Sequence, residues 1–267
     1  MHDLFNAGEI AKHLSGTLVG RNITFFDEID STNTRAIQLA AQGAREGDVV
    51  IAESQTGGRG RLRGRRWQSP PNVNLYASII LRPKIAPSIA STMTLMAGVA
   101  VADVLSGYCP GDVCLKWPND VLIKMKKVCG ILTEMKAKKE AIEYVIIGIG
   151  ININMRSNEF MEEFRAGSTS LSAETGNEIT RSEVAAKVFN SLDAWYQTYL
   201  SQGFDNVREK WLRYAGILGR HVEVKGKSTI ERGMVLGIDE EGALLLERGD
   251  SEILKILSGD VYIGEGE

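Results

Sequence analysis

The chain has 267 residues, 43% hydrophobic and 24% charged, with a formal net charge of −3 from 31 basic and 34 acidic residues. This composition excludes global disorder, which needs few apolar residues and a large net charge. It also counts against a protein whose whole surface grips nucleic acid, which is usually basic. The length allows one large domain, or one plus a small appendage. Three cysteines, Cys109, Cys114 and Cys129, lack C-x-x-C spacing, so neither a disulfide framework nor a standard zinc site is expected. A reducing cytoplasm is the natural setting. The opening MHDLFNAGEIAKHL has no apolar core, and no signal peptide is expected. The apolar stretch from Ile89 to Leu105 is interrupted by Ser91, Thr92, Thr94 and Asp103, which predicts a buried helix and no membrane span.

In chain order, TFFDEI (24–29) reads as a strand, and Asp30-Ser31 precedes a short helix ending at Gly43. Residues 48–54 form a β-branched, buried strand. Residues 55–72 hold four Gly, two Pro and five Arg and predict a loop. A strand follows at 74–81, then a helix over 87–107 opened by Pro87. Strands are expected at 113–117, 121–125, 128–137 and 141–153. Thr180-x-x-Glu183 reads as a capping box for a helix to about Leu200, with a further helix at 205–214. From Gly216 on, five short strands in about fifty residues suggest a small barrel. A boundary at 216/217 is therefore expected, dividing a large domain, 1–216, from a small all-β domain, 217–267. Charge is uneven too. No acid lies between Glu53 and Asp103, where seven bases fall, whereas residues 216–267 carry 11 acids and 6 bases.

Several familiar sites are excluded. GKS at 226–228 lacks the Gly five positions before its own Gly, since His221 stands there. GIGINI (148–153) lacks the third Gly of the dinucleotide fingerprint. There is no G-x-S-x-G, and His2, His13 and His221 are scattered.

Five segments do carry chemistry. GGRGRLRGRRW (57–67) joins bare backbone N–H groups with guanidinium forks suited to phosphate or carboxylate. The bland alternative is a solvated or RNA-contacting loop. KWPND (116–120) puts Lys116, Asn119 and Asp120 at a sheet end, fit for ribose hydroxyls or Mg²⁺-bound water, or for an ordinary Pro-Asn turn. In KKVCGILTEM (126–135), Lys127 starts a buried strand, where an ammonium is costly without an anion. GIGININ (148–154) sets Gly and Asn in an apolar strand, marking either a close ligand approach or a bulge. DSTN (30–33) is a helix cap with spare hydroxyl and amide groups, or simply a cap.

In this order the five segments resemble the biotin protein ligase family, over about residues 24–267, and the small C-terminal barrel agrees. The resemblance implies an α+β fold: a mixed-sheet catalytic domain like that of class II synthetases, followed by an SH3-like barrel. It implies that biotin and ATP are joined to biotinyl-5′-AMP, with release of pyrophosphate. The biotinyl group then passes to a lysine of a biotin carboxyl carrier protein. Ser31, Thr32, Asn33 and Gln55 match positions that bind the biotin head. Arg59, Gly60 and Arg61 match the loop that closes over biotin and adenylate. Lys127 matches the lysine on the reacting oxygens, and with Arg61 it is the expected catalytic group. Gly130, Gly148 and Gly150 are expected along the biotin tail. Trp67 is expected over adenine, and Lys116, Asn119, Asp120 and Asn152 on the ATP and Mg²⁺ side. Mg²⁺ is expected to arrive with ATP, with no side-chain metal site. The family loop reads G-R-G-R-x-x-R-x-W, but here Arg61 and Trp67 are one residue further apart. The later Arg is therefore Arg63, Arg65 or Arg66, of which Arg65 keeps the R-x-W spacing. No extra N-terminal helix-turn-helix domain is seen, so specific DNA binding is not expected, and the interrupted apolar stretch at 89–105 gives no reason to expect membrane association. A homodimer is possible. Two alternatives stay open: a lipoate- or octanoate-type acyl-adenylate ligase on the same fold, and a nucleic-acid-binding protein. The latter predicts a basic barrel with surface aromatics, whereas residues 216–267 are acidic and carry Tyr262 as their one aromatic residue.

Overall fold

The computed structural model describes residues 5–61, 64–139, 141–226, 229–249 and 252–263. The elements in order are α1 (Ala7–Ala11), β1 (Ile23–Ile29), α2 (Thr32–Ala41), β2 (Val49–Gln55), β3 (Leu75–Leu81), α3 (Thr92–Ser106), β4 (Val113–Lys116), β5 (Asp120–Ile123), β6 (Lys126–Lys138) and β7 (Ala141–Ile151). They continue as α4 (Glu162–Arg165), α5 (Leu171–Thr175), α6 (Arg181–Gln202), α7 (Asp205–Tyr214), β8 (His221–Lys225), β9 (Ile230–Ile238), β10 (Leu244–Glu247), β11 (Ile253–Ile256) and β12 (Asp260–Ile263).

The first seven strands form one mixed sheet in the order β1-β2-β3-β7-β6-β5-β4. Only β1 and β2 run parallel; the other pairs are antiparallel. Side chains alternate across a strand, and here the alternation separates two packing layers. Val49, Ile51, Ala77, Ile79, Val145, Ile147 and Ile149 join the main core with α3 and α6. Val50, Ile80, Tyr144 and Ile146 face the other way, onto Ala36 and Ala40 of α2. Helix α3 is apolar on nearly all sides, from Met93 to Leu105, as suits a helix buried between a sheet and further helices. Short α2 covers only part of its face. The rest of that face is where the glycines of β6 and β7 lie.

Strands β8–β12 form an antiparallel sheet in the order β11-β10-β9-β8-β12. Its two end strands are consecutive in sequence, with Leu257, Ser258 and Gly259 between them. A flat five-strand sheet would hold them about 19 Å apart, yet so short a link spans at most about 14 Å. The sheet must therefore curl, which is the barrel expected from the sequence. The core runs on from one sheet to the other, through Leu95, Trp117, Phe204 and Trp211 to Ile238 and Leu244. Trp117 Nε1 donates to the Gly242 carbonyl at 3.0 Å across this seam.

Three sequence expectations need correction. Pro87 opens a 3-10 turn, Pro87–Ile89, and the α-helix begins only at Thr92. Thr180 does precede α6, but its side chain makes no capping hydrogen bond. Instead the buried Arg181 guanidinium anchors that end, 2.5 Å from Glu53. The strand expected at 121–125 stops at Ile123, because Lys124 and Met125 turn through positive φ (48° and 63°).

Candidate active site

Strand register gathers the motifs. One row across the sheet reads Ala52, Tyr76, Gly150, Gly130, Asp120 and Lys116. The adjacent row reads Val50, Ser78, Gly148 and Leu132. Residues separated by up to about a hundred positions thus share one face, next to the start of α2.

At that start, Ser31 holds the N-cap position with extended backbone, yet its side chain makes no capping bond. Ser31, Thr32 and Asn33 are all buried. The Thr32 N–H and hydroxyl donate to Gln55 Oε1 at 2.9 and 3.2 Å, and Gln55 Nε2 donates to Ser69 Oγ at 2.9 Å. The Ser78 hydroxyl donates to Asn33 Oδ1 at 2.6 Å and lies 2.8 Å from Thr32 Oγ1. Asn33 Nδ2 donates to Glu134 Oε2 at 2.7 Å and to the Leu132 carbonyl at 3.2 Å. Gly148 is required here, since a Cβ on it would stand 2.1 Å from Asn33 Oδ1. The four expected head-binding residues therefore come together as one polar network. Ser69, Ser78 and Glu134 complete it, and the sequence reading assigned them no role. Strand parity relative to Gly148 and Gly150 pointed to Ser78, and Glu134 closes the K-V-C-G-I-L-x-E motif that carries the resemblance.

Beside this network a small hollow of about 70 Å³ runs past Gly130, Gly148 and Gly150. Trp67 closes it. A Cβ on Gly150 would come within 2.6 Å of the Trp67 ring, and one on Gly130 within 2.9 Å. The resemblance assigned Trp67 to adenine; the structure rests its ring on the glycines expected for the biotin tail. A narrow hairpin delivers it there, closed by Trp67 N–H to the Gly58 carbonyl (3.0 Å) and Gly60 N–H to the Arg65 carbonyl (2.8 Å). Trp67 Nε1 is buried with no hydrogen-bond partner among the described residues.

A larger cavity of about 450 Å³ opens on the far side of Trp67, between the main sheet and β12. Cations gather at its mouth. Lys127 Nζ lies 2.6 Å from Asp120 Oδ1 and 5.5 Å from the Trp67 ring centre. Lys116 Nζ is 3.6 Å from Asp120 and donates to the Val261 carbonyl at 3.3 Å. Arg61 pairs with Asp260 and donates to the Gly259 carbonyl at 2.7 Å. Arg65 donates to the Tyr262 hydroxyl at 3.1 Å, whereas Arg59 lines the smaller hollow and donates to Glu134 Oε2 at 3.2 Å. Arg63 lies outside the described residues. Asn119 and Asn152 line the cavity, but their amide nitrogens are engaged in the fold, on the Ile131 and Thr169 carbonyls. The opposite wall comes from Met155, Phe160, Phe164 and Ser168, in a stretch with no sequence signal. It is tied to the lysine by backbone bonds, Lys127 N–H to the Gly167 carbonyl and Thr169 N–H to the Lys127 carbonyl.

The chemistry this allows is narrow. Cys129 lies two residues from Lys127 but is buried in the core, where desolvation pushes its thiol well above the usual range, which disfavours the nucleophilic thiolate. Among the described residues no three His, Cys, Asp or Glu side chains cluster to hold a metal. Mg²⁺ is usually held by one or two carboxylates plus substrate phosphates, and Asp120 fits that pattern as a single carboxylate at the cavity mouth. Lysines and arginines converging where two cavities meet suit two anions brought together. No helix among the described residues is long and apolar enough to cross a membrane.

Residues 25–152 match the biotin/lipoate A/B protein ligase family, and residues 217–264 match the biotin protein ligase C-terminal domain. The chain is 38% identical to the bifunctional ligase/repressor BirA of Bacillus spizizenii, over 96% of this chain and 78% of that protein. It is 32% identical to a biotin–[acetyl-CoA-carboxylase] ligase of Paracoccus denitrificans, over 88% of this chain and 98% of that protein. The biotin protein ligase of Aquifex aeolicus, solved with biotin and ATP, superposes with a TM-score of 0.78 at 31% identity, covering 92% of this chain and all of that one.

Proposed function

Because the chain belongs to the biotin protein ligase family, we infer that it is an ATP-dependent biotin–protein ligase. A biotin carboxylate oxygen attacks the α-phosphorus of ATP, and pyrophosphate leaves. The amine of a carrier lysine then attacks the acyl carbon of biotinyl-5′-AMP, and AMP leaves. The acceptor is a biotin carboxyl carrier protein of the acetyl-CoA carboxylase type.

The observation that carries this reading is the meeting of a polar head pocket, a glycine-floored trough and a cation cluster in that spatial order. A ureido ring presents two N–H donors and one carbonyl acceptor. Ser31, Thr32, Asn33 and Gln55 supply matching partners. The valeryl tail lies along Gly130, Gly148 and Gly150, which puts the carboxylate beside Lys127. In this reading Lys127 and Arg61 neutralise the carboxylate and the α-phosphate as they approach, which is how preorganised charge lowers such a barrier, and Arg59, held on Glu134, covers the head side of the trough. Lys116, Asn119, Asp120 and Asn152 border the nucleotide, and Mg²⁺ arriving with ATP would supply further charge neutralisation, with Asp120 as the carboxylate that could hold it. Gly60 lets the loop backbone come close. For biotin to reach the trough, Trp67 swings off Gly130 and Gly150 towards the larger cavity, where it is placed to cover adenine.

The lipoate alternative is disfavoured by the head pocket. A dithiolane has neither an N–H donor nor a carbonyl acceptor to offer Ser31, Thr32, Asn33 and Gln55, so it would form none of the bonds that a ureido ring can make there. The test is ATP–pyrophosphate exchange with biotin, lipoate or octanoate, followed by mass spectrometry of a biotin-accepting domain. Exchange with biotin alone, and one biotinyl group added at one lysine, is expected. Exchange with lipoate but not biotin would overturn the reading.

A further inference from the structure

We propose that Glu134 is a positioning residue for the biotin head, holding the Asn33 amide and the Arg59 guanidinium through a single carboxylate oxygen. The inference rests on the function proposed above. Oε2 of Glu134 accepts from Asn33 Nδ2 at 2.7 Å and from Arg59 Nη2 at 3.2 Å. The second Asn33 N–H is directed at the Leu132 carbonyl, 3.2 Å away. With both donors held on β6, Asn33 presents only Oδ1 to the hollow. One lone pair of that oxygen takes the Ser78 hydroxyl at 2.6 Å, and the other is left for a ligand N–H. A flipped amide would set its carbonyl against the Glu134 carboxylate and turn donors towards the hollow. The carboxylate therefore selects the rotamer that reads a ureido N–H.

The two bonds differ in weight. Arg59 is about half exposed, 47% at the side chain, and a pair so placed contributes little by itself. Asn33 is 4% exposed, so its charge-assisted bond is partly shielded from water and, at 2.7 Å against 3.2 Å, is the stronger of the two. The Arg59 contact ties the Arg-Gly hairpin to the strand that positions Asn33, linking the cover of the pocket to its wall. Glu134 does not line the hollow and acts only through these neighbours. Its side chain is 34% exposed, so replacing it removes little core.

The test is steady-state biotin-dependent ATP–pyrophosphate exchange in the full chain, for wild type, Glu134→Ala, Glu134→Met and Glu134→Gln. Ala and Met, which lack the acceptor, should raise KM for biotin about tenfold while kcat and KM for ATP move less than about threefold. Gln keeps an oxygen where Oε2 stands and should remain within about threefold of wild type. If Ala does not fold, Met, close to Glu in length, carries the comparison. An unchanged biotin KM in the acceptor-less variants would overturn the inference. So would equal rises in KM for biotin and ATP, or a Gln variant as impaired as Met. Absence of biotin-dependent exchange in the wild type would instead defeat the functional reading itself.

Discussion

Lys127 sits where the two cavities meet, 2.6 Å from Asp120 and close to the Trp67 ring. A burial argument predicts a lysine that needs an anion, and Asp120 is that anion in the structure. In the proposed reaction a carboxylate and an α-phosphate would converge there and compete for the same ammonium. Lys127→Ala should lower the rate of biotin-dependent exchange at least ~100-fold, the scale of losing one preorganised charge stabiliser. A near-wild-type rate would remove Lys127 from the mechanism. Gly148 can be tested by addition of a single carbon. In Gly148→Ala the new Cβ and Asn33 Oδ1 cannot coexist at 2.1 Å, so Asn33 must abandon Ser78 and Glu134. KM for biotin should rise about tenfold or more, with KM for ATP unchanged; titration calorimetry with biotin checks the same point independently.

At the scale of the element, the Arg-Gly segment is a hairpin that lays Trp67 on Gly130 and Gly150. Its charges explain the uneven charge distribution of the chain. The basic segment meets the acidic C-terminal sheet, where Arg61 pairs with Asp260 and Arg65 reaches Tyr262. At the proposed site, biotin in the trough would displace the indole, whose Nε1 is buried with no hydrogen-bond partner among the described residues and would gain access to water or nucleotide on leaving. Biotin alone should therefore change tryptophan emission in the wild type. The change should largely vanish in Trp67→Phe, which retains three of the four tryptophans. An equal change in both proteins would mean that Trp67 stays on its glycines and biotin binds elsewhere.

At the scale of the molecule, the curled C-terminal sheet shares its core with the main sheet and supplies Asp260, Val261 and Tyr262 to the larger cavity. The seam is held by Trp117, which is 2% exposed and whose Nε1 is bonded to the Gly242 carbonyl. Trp117→Phe leaves that carbonyl without its donor and should cost about 1–3 kcal/mol. Because the core is continuous, denaturant unfolding followed by circular dichroism and by tryptophan emission should give one coincident transition in both proteins. A separate early transition of the C-terminal strands would show that the two sheets unfold independently.

Much of this was legible in the residues alone. Alternation and apolar runs located the strands, because burial on one or two faces imposes a period on the side chains. The order of DSTN, the Arg-Gly loop, KWPND, KVCGIL and GIGININ marked the site, because anion chemistry restricts residue type more tightly than packing does. Helix starts were less legible: Thr180 resembles a cap, yet Arg181 reaching across to Glu53 anchors α6, and no local pattern encodes a contact 128 residues away. What only the tertiary structure decided was partnership. Strand register set Gly148 under Asn33 and aligned Asp120 with Gly130 and Gly150. It left Glu134 bridging Asn33 and Arg59, and packing placed Trp67 on the trough and Arg61 on Asp260. Most of these pairs join segments far apart in sequence, and their contact depends on how strands align and layers pack, which is a property of the whole fold and of no single segment.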